Sequence, residues 1–245
     1  MQWFSIILGL FFMGIGILVK HGKAYNLIAG YNTMSREEKA NFDIEGYATF
    51  FRNFFVFLGL FIILGFYIFY WVGWTEIAYG WVISSIFLTL PYLLIRGQRY
   101  NHSASKQKTK KYNVIAIIFL GLVFLGIMAL IGKGMVPPSV TLHDHSLEIS
   151  GMYGVKIPTD QIASIELIDQ LPDVLVKTNG FNFANTLKGN FRLKEIGKGK
   201  LFIQKDIPPF VKIDLKASGY LIINYEDPDT TRELYNNLQH QLSNR

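Results

Sequence analysis

The sequence of 245 residues contains no cysteine. Disulfide frameworks, thiol nucleophiles and cysteine metal sites are therefore excluded, and the redox compartment cannot be inferred. Charge is scarce too: 17% of residues are charged, against half that are apolar and 15% that are aromatic. An ordinary soluble domain carries about 25% charged residues, so the composition points to the membrane. Several chemical signatures are also missing. No serine sits in a nucleophile elbow, and Asp and Glu are scattered over turns and strand ends without forming a selected pair. "GKGK" at Gly197–Lys200 has neither the spacing nor the strand-to-helix setting of a phosphate loop, and its glycines read as a hairpin turn. "HDH" at His143–His145 offers two imidazoles without a third ligand, whereas zinc needs three or four, so a hairpin tip is expected there. The expectation is a non-catalytic protein with no metal and no cofactor.

What is abundant is apolar sequence, gathered in four runs: Trp3–Val19, Phe54–Trp74, Ile77–Ile95 and Val114–Ile131. At about 1.5 Å of rise per residue, each spans a hydrocarbon core of roughly 30 Å. Four transmembrane helices are predicted. The first run has no basic residue before it, and Lys20 and Lys23 follow it, the reverse of a secretory signal. The runs hold no ionisable residue away from their ends, only Ser84, Ser85 and Thr89 in the third, which argues against a pump or a coupled transporter. Pro91 is expected to kink the third helix near its end, for packing or for gating.

Orientation follows from lysine and arginine. The first connection carries Lys20, Lys23, Arg36, Lys39 and Arg52, the third carries Arg96, Arg99, Lys106, Lys108, Lys110 and Lys111, and the second carries only Glu76. The positive-inside rule makes both basic connections cytoplasmic. Both termini, and everything after Ile131, are then expected outside. The formal net charge of +6 is accounted for by these connections, because the chain from Gly132 onward has 13 basic and 13 acidic residues. The basic balance is thus a topology signal, and no nucleic-acid partner is expected. The lipid bilayer is the expected partner of the helices, with the third connection close to anionic lipid.

After the fourth run, "GKGMVPPS" at Gly132–Ser139 reads as a short stiff linker. Short strand-like pieces follow, among them "SLEIS", "GVKI", "ASIELI", "NFRLKEI", "KLFIQ", "FVKIDL" and "GYLIINY", separated by turn residues. They predict a small all-β sandwich or barrel. The chain then offers Asp227 as a helix cap, Pro228 at the first helical position, and Leu234, Tyr235, Leu238 and Leu242 on one stripe, which predicts a carboxy-terminal helix packed on the sheet. The expected organisation is an α-helical membrane domain of four transmembrane helices over 1–132, a linker over 133–139, and an all-β domain with a C-terminal helix over 140–245.

Two resemblances attach to these pieces. "GVKIPTDQIASIELIDQLP", "GNFRLKEIGKGKLFI" and "GYLIINYEDPDTTRELYNNL" resemble the bacterial pleckstrin-homology-like domain found appended to membrane helices. The membrane half resembles a bacterial multi-pass family of unknown function whose hallmark follows its first helix. Here that hallmark is "LIAGYNTMSREEKANFD", Leu27–Asp43, with a GYNTMS-x-EEK core. A comparable glycine-tyrosine-x-threonine step follows the first helix of membrane proteins that protect bacteria from their own secreted peptide toxins.

Within the hallmark, Gly30 is suited to a tight turn, and Ser35 with Glu38 forms a capping box at the start of a short helix. Met34, Phe42 and Ile44 are expected against the membrane interface, with Arg36, Glu37 and Lys39 toward water. The candidate site residues are Gly30, Tyr31, Asn32, Thr33, Ser35, Glu38, Lys39 and Asp43. Two readings remain open: the motif folds the loop onto the membrane, or Tyr31, Asn32 and Thr33 offer hydrogen-bonding groups to a partner or to helix ends. The bacterial cytoplasmic membrane is the expected location. The expected function is display of a binding domain outside the cell as a sensor, scaffold or peptide-toxin immunity factor, with a protein or peptide partner. An accessory subunit of a transporter, or an enzyme with an unrecognised site, are the alternatives.

Overall fold

In the computed structural model the chain forms two compact units, Met1–Ile127 and Met128–Arg245. The residues described are 3–102, 106–217 and 219–243. The first unit is helical: α1 is Trp3–His21, α2 Arg36–Ala40, α3 Ile44–Trp71 and α4 Thr75–Gly97, and α5, Lys106–Met135, runs on into the second unit. Four of the helices, α1, α3, α4 and α5, are long and apolar enough to cross a membrane, as the sequence predicts.

Helix α3 starts well before its apolar run. Asp43 caps it, accepting the Gly46 N–H at 2.9 Å, and the spacing of Ala48, Phe51 and Phe55 keeps one face buried past the charged Glu45 and Arg52. It stops where Gly73 takes a φ of +88°, a left-handed conformation that favours glycine. Against α1 it packs backbone to backbone. A Cβ added at Gly59 would lie 2.4 Å from the Gly9 carbonyl oxygen, and one at Gly16 would lie 3.1 Å from the Arg52 carbonyl oxygen. Such small-residue seats let helices approach closely where lipid supplies no hydrophobic drive. Gly65 makes room for the Trp81 indole, whose N–H donates to the Phe61 carbonyl at 2.9 Å. Pro91 lies inside an unbroken α4, and upstream of it the Ser85 and Thr89 hydroxyls bond back to the Trp81 and Ser85 carbonyls. Asn113 of α5 donates to the Leu94 carbonyl at 2.9 Å, satisfying an acceptor near the end of α4.

The second unit begins inside α5, which stays helical to Met135, so the first residues read as linker complete the helix. Among the described residues nine strands follow: β1 Val140–His143, β2 Ser146–Ile149, β3 Val155–Pro158, β4 Ile162–Ile168, β5 Val174–Phe183, β6 Thr186–Leu193, β7 Gly197–Gln204, β8 Phe210–Leu215 and β9 Tyr220–Ile223. They form a three-stranded sheet, β1-β2-β3, and a six-stranded sheet, β4-β8-β9-β7-β6-β5. All neighbours are antiparallel except β7 and β9, which run parallel.

Alternation along the strands accounts for two cores. Phe202, Leu221 and Ile223 point to one face of the six-stranded sheet and meet Leu147, Ile149 and Ile157 of the smaller sheet. Leu187, Phe191, Leu201, Ile203 and Ile222 fill the opposite face. Strand β9 is buried on both sides, which explains its unbroken apolar run. His143 and Ser146 are paired in register across the turn at Asp144–His145, so "HDH" is the expected hairpin tip. "GKGK" is different. Gly197–Lys200 belongs to β7, because the turn is made upstream with Glu195 at φ 69°, and Gly199 lies within the strand with the Tyr220 ring against it.

Helix α6, Pro228–Ser243, begins at the predicted proline, with Leu234, Tyr235 and Leu238 packed toward the sheet; the Leu242 side chain lies outside the described residues. Asp227 accepts from the Asp229 and Thr230 N–H groups at 3.2 and 3.0 Å and from the Thr230 hydroxyl at 2.6 Å. These bonds hold its carboxyl below the ordinary value of 3.8, the Thr230 hydroxyl contributing most. Because the native value is depressed, the stabilisation is complete above pH 3.8 and is lost as pH falls through the native value. Loss of α6 protection on acidification, followed by hydrogen exchange, is therefore expected to flatten in Asp227→Asn, which keeps a capping side chain without a charge. An identical acid profile in the variant would remove Asp227 as its source.

Candidate functional site

The hallmark folds into one compact loop that holds all eight candidate residues. Gly30 turns the chain at φ +88°. Asn32 donates to the Asn26 carbonyl at 2.6 Å and Thr33 to the Gly30 carbonyl at 3.0 Å, so both side chains brace the loop itself. The capping box is complete: the Glu38 N–H donates to Ser35 Oγ at 3.2 Å, and the Ser35 N–H donates to the Glu38 carboxylate at 2.9 Å. Ser35→Ala should cost about 0.5–2 kcal/mol locally while Ser35→Asp is tolerated, read as hydrogen exchange of the α2 amides. Equal exchange in the alanine variant and the parent would show that the cap contributes nothing.

Three side chains face differently from the expectation. Met34 and Phe42 turn inward to line a cavity of about 170 Å³ with Leu93, Leu94 and Asn101, instead of facing an interface. Lys39 lies over the Tyr31 ring, 5.2 Å from its centroid, and so is only partly turned to water. The cause is a contact the sequence does not advertise. Phe42 and Asn101 form a β-bridge, the Asp43 N–H donates to the Tyr100 carbonyl at 2.9 Å, and the His102 N–H donates to the Asn41 carbonyl at 2.9 Å. The two basic connections are thereby stitched together. A run of rings continues the seam, with Tyr31–Phe42 at 5.6 Å, Phe42–Tyr47 at 5.4 Å and Tyr47–Tyr100 at 5.8 Å. Beside it, Lys20 Nζ meets the Glu45 carboxylate at 2.7 Å and the Tyr25 hydroxyl donates to the same carboxylate. That hydrogen bond holds the Tyr25 phenol above its ordinary value.

The second unit carries a larger opening, a groove of about 750 Å³ between β3 and the face of β6, β7 and β9. Its apolar wall includes Val155, Ile157 and Leu221, and its charged lining residues are Lys198 and Lys200. The register pairs Asn190 with Lys200 and Arg192 with Lys198 across β6 and β7. Since i and i+2 share a sheet face, these four side chains stand on one face. Lys200 donates to the Tyr153 carbonyl at 3.0 Å. Nearby, the buried Lys188 donates to the Val136 carbonyl, and burial pushes its ammonium down from the ordinary lysine value. Among the described residues, no group of three or more His, Asp or Glu gathers where it could hold a metal ion.

Comparison with known proteins bears on the first unit. No curated protein and no solved structure matches the chain. Residues 6–101 match the family model of a domain of unknown function, DUF3784, a stretch that begins within α1 and ends at Asn101, thus containing the hallmark and its pairing residues Tyr100 and Asn101; over that stretch the chain is similar to this family.

Proposed function

We propose that this is a non-catalytic, multi-pass protein of a bacterial cytoplasmic membrane that displays a pleckstrin-homology-like binding unit on the outer side. The observation that carries this reading is the groove on the second unit, an apolar wall facing a basic rim. Concave sites of this kind, with few convergent polar groups, are where ligands are usually held. The plan of two sheets with a C-terminal helix supports the pleckstrin-homology-like assignment. Eleven lysines and arginines in two connections, with none in the other, support an external second unit. The stitched hallmark then serves as a staple on the cytoplasmic side, fixing α1, α3 and α4 so that the membrane unit is a stable anchor. A sensor, scaffold or peptide-immunity role shares this chemistry, and the partner is a protein or peptide.

In-cell photo-crosslinking from Thr178, which lines the groove, and from Lys156, which lies on β3 between the lining residues Val155 and Ile157, tests the reading. The expected result is a discrete protein or peptide adduct at these positions and none from Lys216. Substrate turnover that is lost on changing a polar cluster of the sheets would replace it with an enzyme. A second reading, an accessory subunit of a transporter, is favoured by α5, whose apolar stretch has no fully buried residue. Adducts from Ile118 or Leu122 of α5 to a transporter, with none from the groove, would promote it.

A further inference from the structure

The basic rim of the groove is more than a scatter of surface lysines. Arg192 and Lys198 are cross-strand partners in register, and both are exposed. Like charges directly opposite each other destabilise a sheet. Lys200 adds a third cation on the same face. Among the described residues, none of the three forms an ion pair. Elsewhere on the same sheet the arrangement is the opposite: Lys212 lies 2.7 Å from Asp214 and 3.6 Å from Glu166. The rim is therefore a place where a positive field is left uncompensated within the fold.

The wall opposite the rim has a second property. Of the three-stranded sheet only β3 lines the groove, and β3 pairs with β2 alone. Among the described residues its other edge is unpaired, and such an edge leaves backbone N–H and C=O groups open to a further strand. An extended segment can add to such an edge, with affinity from main-chain hydrogen bonds and specificity from side-chain sites. Val155 of β3 then offers apolar contact, while Lys198 and Lys200 line the groove on the other side and Arg192 stands beside Lys198.

We infer that the groove takes an extended acidic peptide segment, which adds as a strand to β3 and places carboxylates against Arg192, Lys198 and Lys200. This rests on the reading of the second unit as a binding module and specifies its ligand. Carboxylates held by guanidinium and ammonium groups form the stronger, charge-assisted class of hydrogen bond.

The test uses the full chain in nanodiscs of phosphatidylcholine and three labelled octapeptides. One alternates valine and threonine with two glutamates, one has glutamine in place of glutamate, and one is the first with alternate amides N-methylated. Saturable binding of the glutamate peptide is expected, weakened at least about tenfold by the glutamine exchange, by N-methylation, and by Lys198→Glu or Arg192→Glu. Both substituted residues are exposed, and unchanged thermal melting verifies that the variants are folded. Binding that ignores both charge reversals and the N-methyl groups overturns the inference while leaving a peptide-binding unit. No binding of the glutamate peptide, with saturable binding of inorganic phosphate or of phosphatidylserine nanodiscs instead, overturns it in favour of an anion or membrane site. The crosslinking from Thr178 and Lys156 is read separately, so failure of the broader reading remains distinguishable.

Discussion

Gly59→Leu should prevent the membrane unit from folding. At this position α3 meets α1 through main chain, with the Gly9 carbonyl oxygen 2.4 Å from where a Cβ would stand, and the Met13 side chain at 2.7 Å. Met13 can move, but the backbone of a helix cannot yield by an ångström without separating the pair. Overpacking of a well-packed site costs about 1–3 kcal/mol and occasionally more, and here the clash is repeated from the other helix, where a Cβ at Gly9 would meet Gly59 at 2.8 Å. The same substitution at Gly126 of α5, which has nothing within 4 Å, should leave the protein unchanged. Detergent-extracted monodisperse yield and thermal melting measure the contrast. Equal behaviour of the two variants would mean that α1 is not seated on α3 as described.

The second large effect is expected at Asn224, just beyond β9. Its buried amide accepts from the Gln204 N–H at 2.7 Å and donates to the Gln204 and Ile207 carbonyls at 3.0 and 2.6 Å. The side chain thus continues the parallel pairing of β7 with β9 after the backbone ladder stops. Asn224→Leu keeps the number of side-chain heavy atoms yet strands one N–H and two C=O groups. At about 1–3 kcal/mol for each unsatisfied buried group, the loss is on the order of several kcal/mol. Hydrogen exchange of the amides in 197–223 should rise by orders of magnitude, since a loss of about 4 kcal/mol corresponds to roughly a thousandfold change. Protection unchanged in the variant would show that the amide network is dispensable.

Features legible in the sequence are those decided by near neighbours. Apolar length sets the four helices, the serine and glutamate three residues apart set the capping box, and the aspartate-proline step sets the start of α6. Strand β5 escapes that kind of reading. Its first half, Val174–Asn179, is exposed throughout; it is paired only to β6 and interrupted by two register shifts, so no alternation marks it. The seam of the hallmark escapes for a different reason. Phe42 and Asn101 are joined by tertiary folding, and neither residue type announces a bridge. The basic rim requires a register: Arg192 and Lys198 are ordinary charges along the chain, and only the turn at Lys194–Ile196 brings them opposite each other.

The absence of cysteine makes the decisive measurement simple, because each introduced thiol is unique. Lys177→Cys lies on exposed β5 and Arg36→Cys on the exposed start of α2. With a membrane-impermeant maleimide, the expected result is labelling of Lys177→Cys in intact cells and of Arg36→Cys only after permeabilisation. Labelling of Arg36→Cys in intact cells, with Lys177→Cys protected until the membrane is opened, would contradict an externally displayed binding unit.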